Sequence, residues 1–310
     1  MAVRGQRIAL GSLASGLSKA LHSDVVRVVA ANKLTLAGMA IVGFFIFVAV
    51  FADLIATRDP LEPQVTIGFS SPGFHAFFGT DRLGRDIFSR VVFATRVSLI
   101  IPLFSVMLGM AVGGSLALLV GYFGGIWDNI TGRLMDIMFG FPFIVFVIAV
   151  AAMLGPGIRN TIFALGVVFI PLLFRVVRGP VLAEKEKEYV TAAHAMGASA
   201  LRIVLRHIAP NVAPVVIIQA SVTVASAILI EAAVSFLGLG TTAESPSWGK
   251  LLSDARDVLE KAPWASIFPG IAIMLAVLAF NLLGDGLRDI LDPRAYQRQG
   301  TRKDSRERSG

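Results

Sequence analysis

Apolar residues in this chain fall into long runs free of Asp, Glu, Lys and Arg, at 34–52, 97–127, 137–158, 160–174, 208–230 and 262–284. A helix crosses the hydrocarbon of a bilayer, about 30 Å, with about 20 apolar residues. The pattern therefore predicts an all-α membrane protein with six transmembrane helices. The first run follows a 33-residue basic head and exceeds the apolar core of a signal peptide, so it reads as an anchor that is retained. The second holds one tilted helix plus a loop beginning near Tyr122-Phe123-Gly124-Gly125. The run at 160–174 is short, and it must extend through Gly157 on one side while Arg175 and Arg178 snorkel on the other. Pro102, Pro142, Pro171 and Pro214 are expected to kink or start helices, which membrane bundles tolerate where neighbours satisfy the freed carbonyls.

One polar stretch stands apart from the connecting segments. Residues 188–211 form a charged, helix-prone island in which Tyr189, Ala193, Met196 and Ala200 recur at helical spacing, with Ala192 beside them. Gly197 interrupts the island, and Pro210 closes it before the next apolar run. The pattern predicts two short helices meeting at a glycine on a membrane surface, exposed to another protein.

Composition agrees with this division. Of 310 residues, 55% are hydrophobic and 16% charged, and the mean hydropathy is +0.74; a soluble domain carries about 25% charged residues. The net charge of +7 would point to nucleic acid in a soluble protein. Here the basic residues flank apolar runs instead, which sets orientation, and no nucleic-acid partner is expected. With the N-terminus inside, the inner segments carry 19 Lys and Arg and the outer ones 9, so both termini and the 188–211 island are placed in the cytoplasm. The expected division is a tail at 1–33, a first transmembrane helix at 34–56, an outer loop at 57–96, a five-helix core at 97–290 with an inner loop at 180–210, and a tail at 291–310. Arg82, Arg85, Arg90 and Arg96 run against the bias, which predicts that much of 57–96 packs as ordered helix on the bundle. The basic tail Arg294–Arg308 reads as a solvated end.

No charge sits at the middle of the first five runs. Glu231 falls at the outer end of span five and Asp285 at the inner end of span six. Mid-bilayer charges are the usual mark of ion or proton coupling, so the energy for any transport is expected to come from a partner. Gly109, Gly113, Ala117, Gly121 and Gly125 make a small-residue stripe on span two, suited to close helix approach within the chain or to a partner subunit. Gln219, Thr223 and Ser226 share a face of span five, where they line a polar path or bond a neighbouring helix.

The chain lacks the chemistry of an enzyme. It has no Gly-x-x-x-x-Gly-Lys-Ser/Thr phosphate loop, no His-Glu-x-x-His, no cysteine and no Ser-His-Asp arrangement. His194 and His207 read as packing or hydrogen-bonding groups, and no metal site is expected. Asp81, Arg82, Arg85 and Asp86 read as a structural ion-pair network.

The island resembles the cytoplasmic EAA loop of ABC importer permeases, whose pattern is Glu-Ala-Ala, three residues, Gly, nine residues, Ile-x-Leu-Pro. Ala192, Ala193, Gly197 and Pro210 fall at the matching offsets, while Thr191, His207 and Ala209 depart from the pattern. Gly79-Thr80-Asp81…Gly84-Arg85-Asp86…Ser89-Arg90, Ser235-Phe236-Leu237-Gly238-Leu239-Gly240 with Pro246-Ser247-Trp248-Gly249, and Asn281-Leu282-Leu283-Gly284-Asp285-Gly286 with Leu291-Asp292-Pro293-Arg294 are similar, in order, to segments of the dipeptide and oligopeptide permease C-type subunits. The resemblance implies the type I ABC importer permease fold and a non-catalytic subunit in the cytoplasmic membrane. It also implies a B-type permease as heterodimer partner, two ABC ATPase subunits holding ATP and magnesium, and an extracytoplasmic substrate-binding protein. The coupling loop would use Tyr189, Ala192, Ala193 and Gly197, together with Ala198, Arg202, His207 and Pro210. Any family ion pair at the Thr191 position is lost here. The implied cargo is di- or oligopeptide. The same machine carrying nickel, glutathione or opines, or a stand-alone carrier or channel, is the alternative.

Overall fold

The structure is a computed structural model that describes residues 33–64 and 68–291. The expected tails at 1–33 and 291–310, with the basic stretch Arg294–Arg308, lie almost wholly outside the described residues. Every regular element among the described residues is helical, apart from two isolated bridges at Gly73–Ala76 and Thr80–Asp86.

Five helices are long and apolar enough to cross a membrane: α1 (Lys33–Val50), α2 (Ile87–Phe123), α5 (Ile158–Lys185), α7 (Ala200–Phe236) and α9, whose spanning part is Trp264–Ile290. The sixth crossing exists only as a broken pair, α3 (Gly125–Phe139) and α4 (Phe143–Leu154), which meet at 89°. The run at 137–158 was expected to be one helix, and it is not. Gly140, Phe141 and Pro142 break it, because proline removes an amide donor and disfavours helical geometry at the residue before it. The 12 residues of α4 rise only about 18 Å. Two helices of eight residues, α6 (Glu188–Ala195) and α8 (Trp248–Ala255), lie between the spans, with single turns at Ala52–Ile55 and Arg256–Val258.

The boundaries of two spans, α2 and α5, differ from the apolar runs because charges are paired rather than excluded. α2 starts at Ile87, not 97, with Asp86 as its N-cap accepting from the Ser89 amide at 2.9 Å. Arg90 is thereby inside a helix and only 2% exposed, held by Asp81 at 2.6 Å and by Asp254 of α8 at 3.1 Å. Arg96 reaches back to the last carbonyls of α1, Ala49 and Val50, and to Asp53 at 2.7 Å. Ordered helix therefore covers only the end of 57–96, and the segment before Ile87 is irregular among its described residues. α5 runs on through Arg175 and Arg178. Arg178 grips Asp128 of α3 with two 2.6 Å bonds, and Arg175 pairs with Asp136 at 2.8 Å while lying over the Phe139 ring. These arginines end in ion pairs, where snorkelling was expected.

α5 is the central helix, with Leu165, Phe169, Leu173 and Val177 almost wholly buried. α2 lies along it, α7 packs on α9, and α9 on α1. The small-residue stripe of α2 faces α5. A side chain at Gly109 would meet Leu173 and Phe169, one at Gly113 would strike the Ile170 carbonyl, and one at Gly121 would meet Val181 at 3.0 Å; Ala117 is fully buried. A π turn at Met110–Gly114 lies within this stretch. At the opposite end of the bundle, Trp248 inserts its indole N–H against the Val91 carbonyl at 3.2 Å while its backbone amide donates to Ser98 Oγ. The start of α1 packs on the end of α9, where a carbon added at Gly38 would meet Leu282 and one at Gly286 would strike Thr35.

Gly113→Val is expected to lower the thermal midpoint of the detergent-solubilised protein, by overpacking worth about 1–3 kcal/mol. Gly132→Ala in α3, where nothing lies within 4 Å of the new carbon, is expected to be neutral or stabilising by up to about 1 kcal/mol. Equal melting shifts in the two variants would overturn the assignment of close packing to the α2–α5 contact.

Candidate functional site

The polar island is an ordered loop between α5 and α7. α5 ends at Lys185, Lys187 is extended, and α6 runs for eight residues before Met196 caps it. Gly197 then takes φ +79°, its amide donating to the His194 carbonyl at 2.9 Å, while the Ala198 amide returns to the Ala193 carbonyl at 3.1 Å. These two bonds make a Schellman stop, in which the left-handed position selects glycine. Ser199 leads into α7, which begins at Ala200 and runs through Pro210 to Phe236. Pro210 therefore does not close the island. A π turn at Val204–Ile208 widens the helix just ahead of it, where an α turn would press the ring on the Arg206 carbonyl.

The loop residues divide into an underside and an outer face. Ala193 and Val190 are buried against the ends of α5 and α7. Tyr189 is half-buried; its Oη donates to Glu184 Oε1 at 2.7 Å and accepts from Asn211 Nδ2 at 3.1 Å. Burial, and then the Glu184 contact, push the Tyr189 phenol above its ordinary range. The hydrogen bond to Glu184 likewise raises the Lys187 ammonium. Ala198 and His207 are half-buried, the His207 ring 6.2 Å from that of Tyr189. His194 Nε2 lies 2.7 Å from Tyr122 Oη at the end of α2.

Ala192, Gly197, Arg202 and Pro210 are exposed. So is Met196, at 81%, although helical spacing placed it beside Tyr189 and Ala193. The helix ends at Ala195 with Met196 as its C-cap, and the Met196 side chain stands clear of the bundle. Leu201 (57% exposed) and Leu205 (61%) join it. Sequence reasoning missed both leucines. Their signal was the i, i+4 spacing opposite Ile203 and Ile208, which are fully buried. A groove of about 580 Å³ flanks the loop, lined by Tyr122, Lys185, Glu186, Thr191 and His194 among others. Among the described residues, no group of three His, Asp or Glu is placed to hold a metal ion.

The polar residues of α7 do not share one environment. Thr223 is buried and donates to the Gln219 carbonyl at 2.8 Å; Ser226 is exposed and donates to the Val222 carbonyl at 3.4 Å; Gln219 is half-buried. Both hydroxyls are satisfied by their own helix.

A bundle of apolar spans, with apolar side chains exposed on an ordered loop at one end, defines a multi-pass membrane protein. Comparison with known proteins fixes the family. Residues 109–296 match the binding-protein-dependent transport system inner membrane component, and residues 21–72 match the N-terminal TM domain of oligopeptide transport permease C. The chain is 43% identical over 263 residues to the dipeptide transport system permease protein DppC of Alkalihalophilus pseudofirmus, covering 85% of this chain and 86% of that one. It is 41% identical over 253 residues to the glutathione transport system permease protein GsiD of Escherichia coli O1:K1 / APEC, covering 80% and 82%. Among solved structures it resembles a chain of the inward-facing MetNI methionine ABC transporter, with TM-score 0.54 and 18% identity over 66% of this chain and 96% of that one. The chain belongs to the family of binding-protein-dependent transport inner-membrane components.

The left-handed turn has a measurable consequence. Nothing lies within 4 Å of a carbon added at Gly197, so a substitution there meets backbone strain alone. Gly197→Ala is expected to destabilise by about 1–2 kcal/mol and Gly197→Asn by less, read as thermal midpoints of the purified protein. An alanine variant as stable as the asparagine one would overturn the assignment of a left-handed residue.

Proposed function

We propose that this chain is a transmembrane subunit of an ATP-driven importer of di- and oligopeptides, with the loop at 188–211 as the seat for a separate ATPase subunit. The observation that carries the reading is the exposed trio Met196, Leu201 and Leu205 on a loop whose other face is buried and hydrogen-bonded. Fully burying such a side chain contributes about 1.5–3 kcal/mol, so a partner that covers the trio gains a firm grip on a preformed surface. The 19-to-9 bias of basic residues puts that surface in the cytoplasm, where ATP is available. ATP and magnesium are held on the partner chains, and this chain binds no cofactor of its own. A B-type permease completes the pathway as a heterodimer partner, and an extracytoplasmic binding protein delivers the cargo to the opposite end. Gln219 and Ser226, on the less buried side of α7, are the candidates for contact with cargo in transit, with Thr223 behind them.

Peptide cargo is supported by the dipeptide permease relative. Glutathione is the second reading, because a permease named for it is 41% identical.

Gly197→Asp puts a charge in the exposed turn. It is expected to leave membrane insertion intact while abolishing uptake and its coupling to ATP hydrolysis in the co-expressed complex. Undiminished uptake would sink the docking assignment. Stimulation of the complex's ATPase by dipeptides but not by glutathione, each presented with the binding protein, is the expected outcome for cargo.

A further inference from the structure

α6 is eight residues long and is cut from its neighbours at both ends, by the extended Lys187 before it and the left-handed Gly197 after it. A helix this short has little stability of its own, and no continuous helical backbone joins it to α5 or α7. Its apolar underside, Val190 and Ala193, holds it to the bundle. Apolar contact is non-directional, so it does not by itself fix how the helix slides or rotates. Hydrogen bonds constrain both distance and direction, and two phenols hold α6 by three of them on its flanks. Tyr189 ties it to Glu184 in the last turn of α5 and to Asn211 in α7. His194 ties it to Tyr122 at the end of α2, with the two ring planes parallel to within 3°.

We propose that Tyr189 and Tyr122 are positioning residues that clasp α6 to the ends of α5, α7 and α2. Displacement of the loop by an ATPase reaches the three spans through these phenols, not through the flanking backbone. This inference rests on the reading of the loop as an ATPase seat. The first clasp is separable from folding, because Lys187 Nζ holds Glu184 Oε2 at 2.7 Å and keeps the carboxylate paired when the phenol is removed.

The test uses the whole transporter in proteoliposomes, with its partner permease, ATPases and binding protein, and measures radiolabelled dialanine translocated per ATP hydrolysed. Loss of one hydrogen bond, about 1 kcal/mol net, shifts a two-state equilibrium about fivefold. Tyr122→Phe, which removes one bond, is expected to lower the ratio by that factor, Tyr189→Phe, which removes two, by more, and the double variant further still. His194→Gln, which keeps a hydrogen-bonding partner for Tyr122, is expected to recover the ratio lost in His194→Ala. Wild-type ratios in both phenylalanine variants, or equal losses in the two His194 variants, would overturn the clasp. Should Tyr189→Phe fail to assemble, the Tyr122 and His194 variants on the other flank decide the matter alone. Full coupling in Gly197→Asp removes the docking reading itself, whereas uncoupling there with full coupling in the tyrosine variants removes only the clasp.

Discussion

The close approach of α2 to α5 is the contact on which the rest of the molecule depends. Gly109, Gly113, Ala117 and Gly121 give α2 a face without side chains, so its backbone rides directly on Phe169, Ile170, Leu173 and Val181. In lipid there is no hydrophobic gain from pressing one apolar helix on another, and association rests on dispersion between surfaces that fit. A fit of this kind is specific in register. It brings Tyr122 level with His194 and Gly121 within reach of Lys185, whose ammonium donates to the Gly121 carbonyl at 3.2 Å. The geometry of the 188–211 loop thus depends in part on Gly109 and Gly113, several turns away along α2.

Charge is handled oppositely to what hydropathy alone suggests. The apolar runs identify where a bilayer fits, but helix ends are decided by pairing. Arg90 remains in a helix and almost unexposed because Asp81 and Asp254 both face it, and a buried charge left alone would cost several kcal/mol. Arg178 does the same for the other end of the bundle through Asp128. Each pair joins two elements distant in sequence, so the two belts of charge close the bundle at both rims while its middle stays apolar.

Much of this was legible in the sequence, and the limits have physical causes. Span existence follows from run length, and the break at Gly197 follows from glycine inside a helical pattern. The intrachain use of the α2 stripe was one of two readings, and only placement of Ile170 opposite Gly113 separates them. The start of α2 at Ile87 was hidden because Arg90 and Arg96 look like loop residues until their partners are known, and Asp254 lies far along the chain. Pro142 was expected to kink or start a helix and it heads α4, but the 89° size of the bend was hidden, since hydropathy carries no direction. Met196 was misplaced because helical spacing gives the face on which a residue lies, not whether anything packs on that face at the helix's last turn. The exposed pair Leu201 and Leu205 was masked by Ile203 and Ile208, which give the same stretch an equally apolar opposite face.

The two ends of the bundle differ in the kind of bond that holds them. Opposite the loop, Trp248 is fully buried between α1, α2 and α7, and its helix is tied to Arg90 and Arg85 through Asp254. A large buried indole and a shared carboxylate both resist small displacements, because the alternatives expose an aromatic surface or strand a charge. At the loop end, α6 sits between two chain breaks on a small apolar underside with phenol bonds on its flanks. That end is cheaper to shift as a unit, and α6 shifts whole because its own backbone bonds are intact. The asymmetry comes from placing the fully buried Arg90 and tryptophan at one rim and the glycine-bounded helix at the other, where the arginine of the Arg178–Asp128 pair is half-exposed.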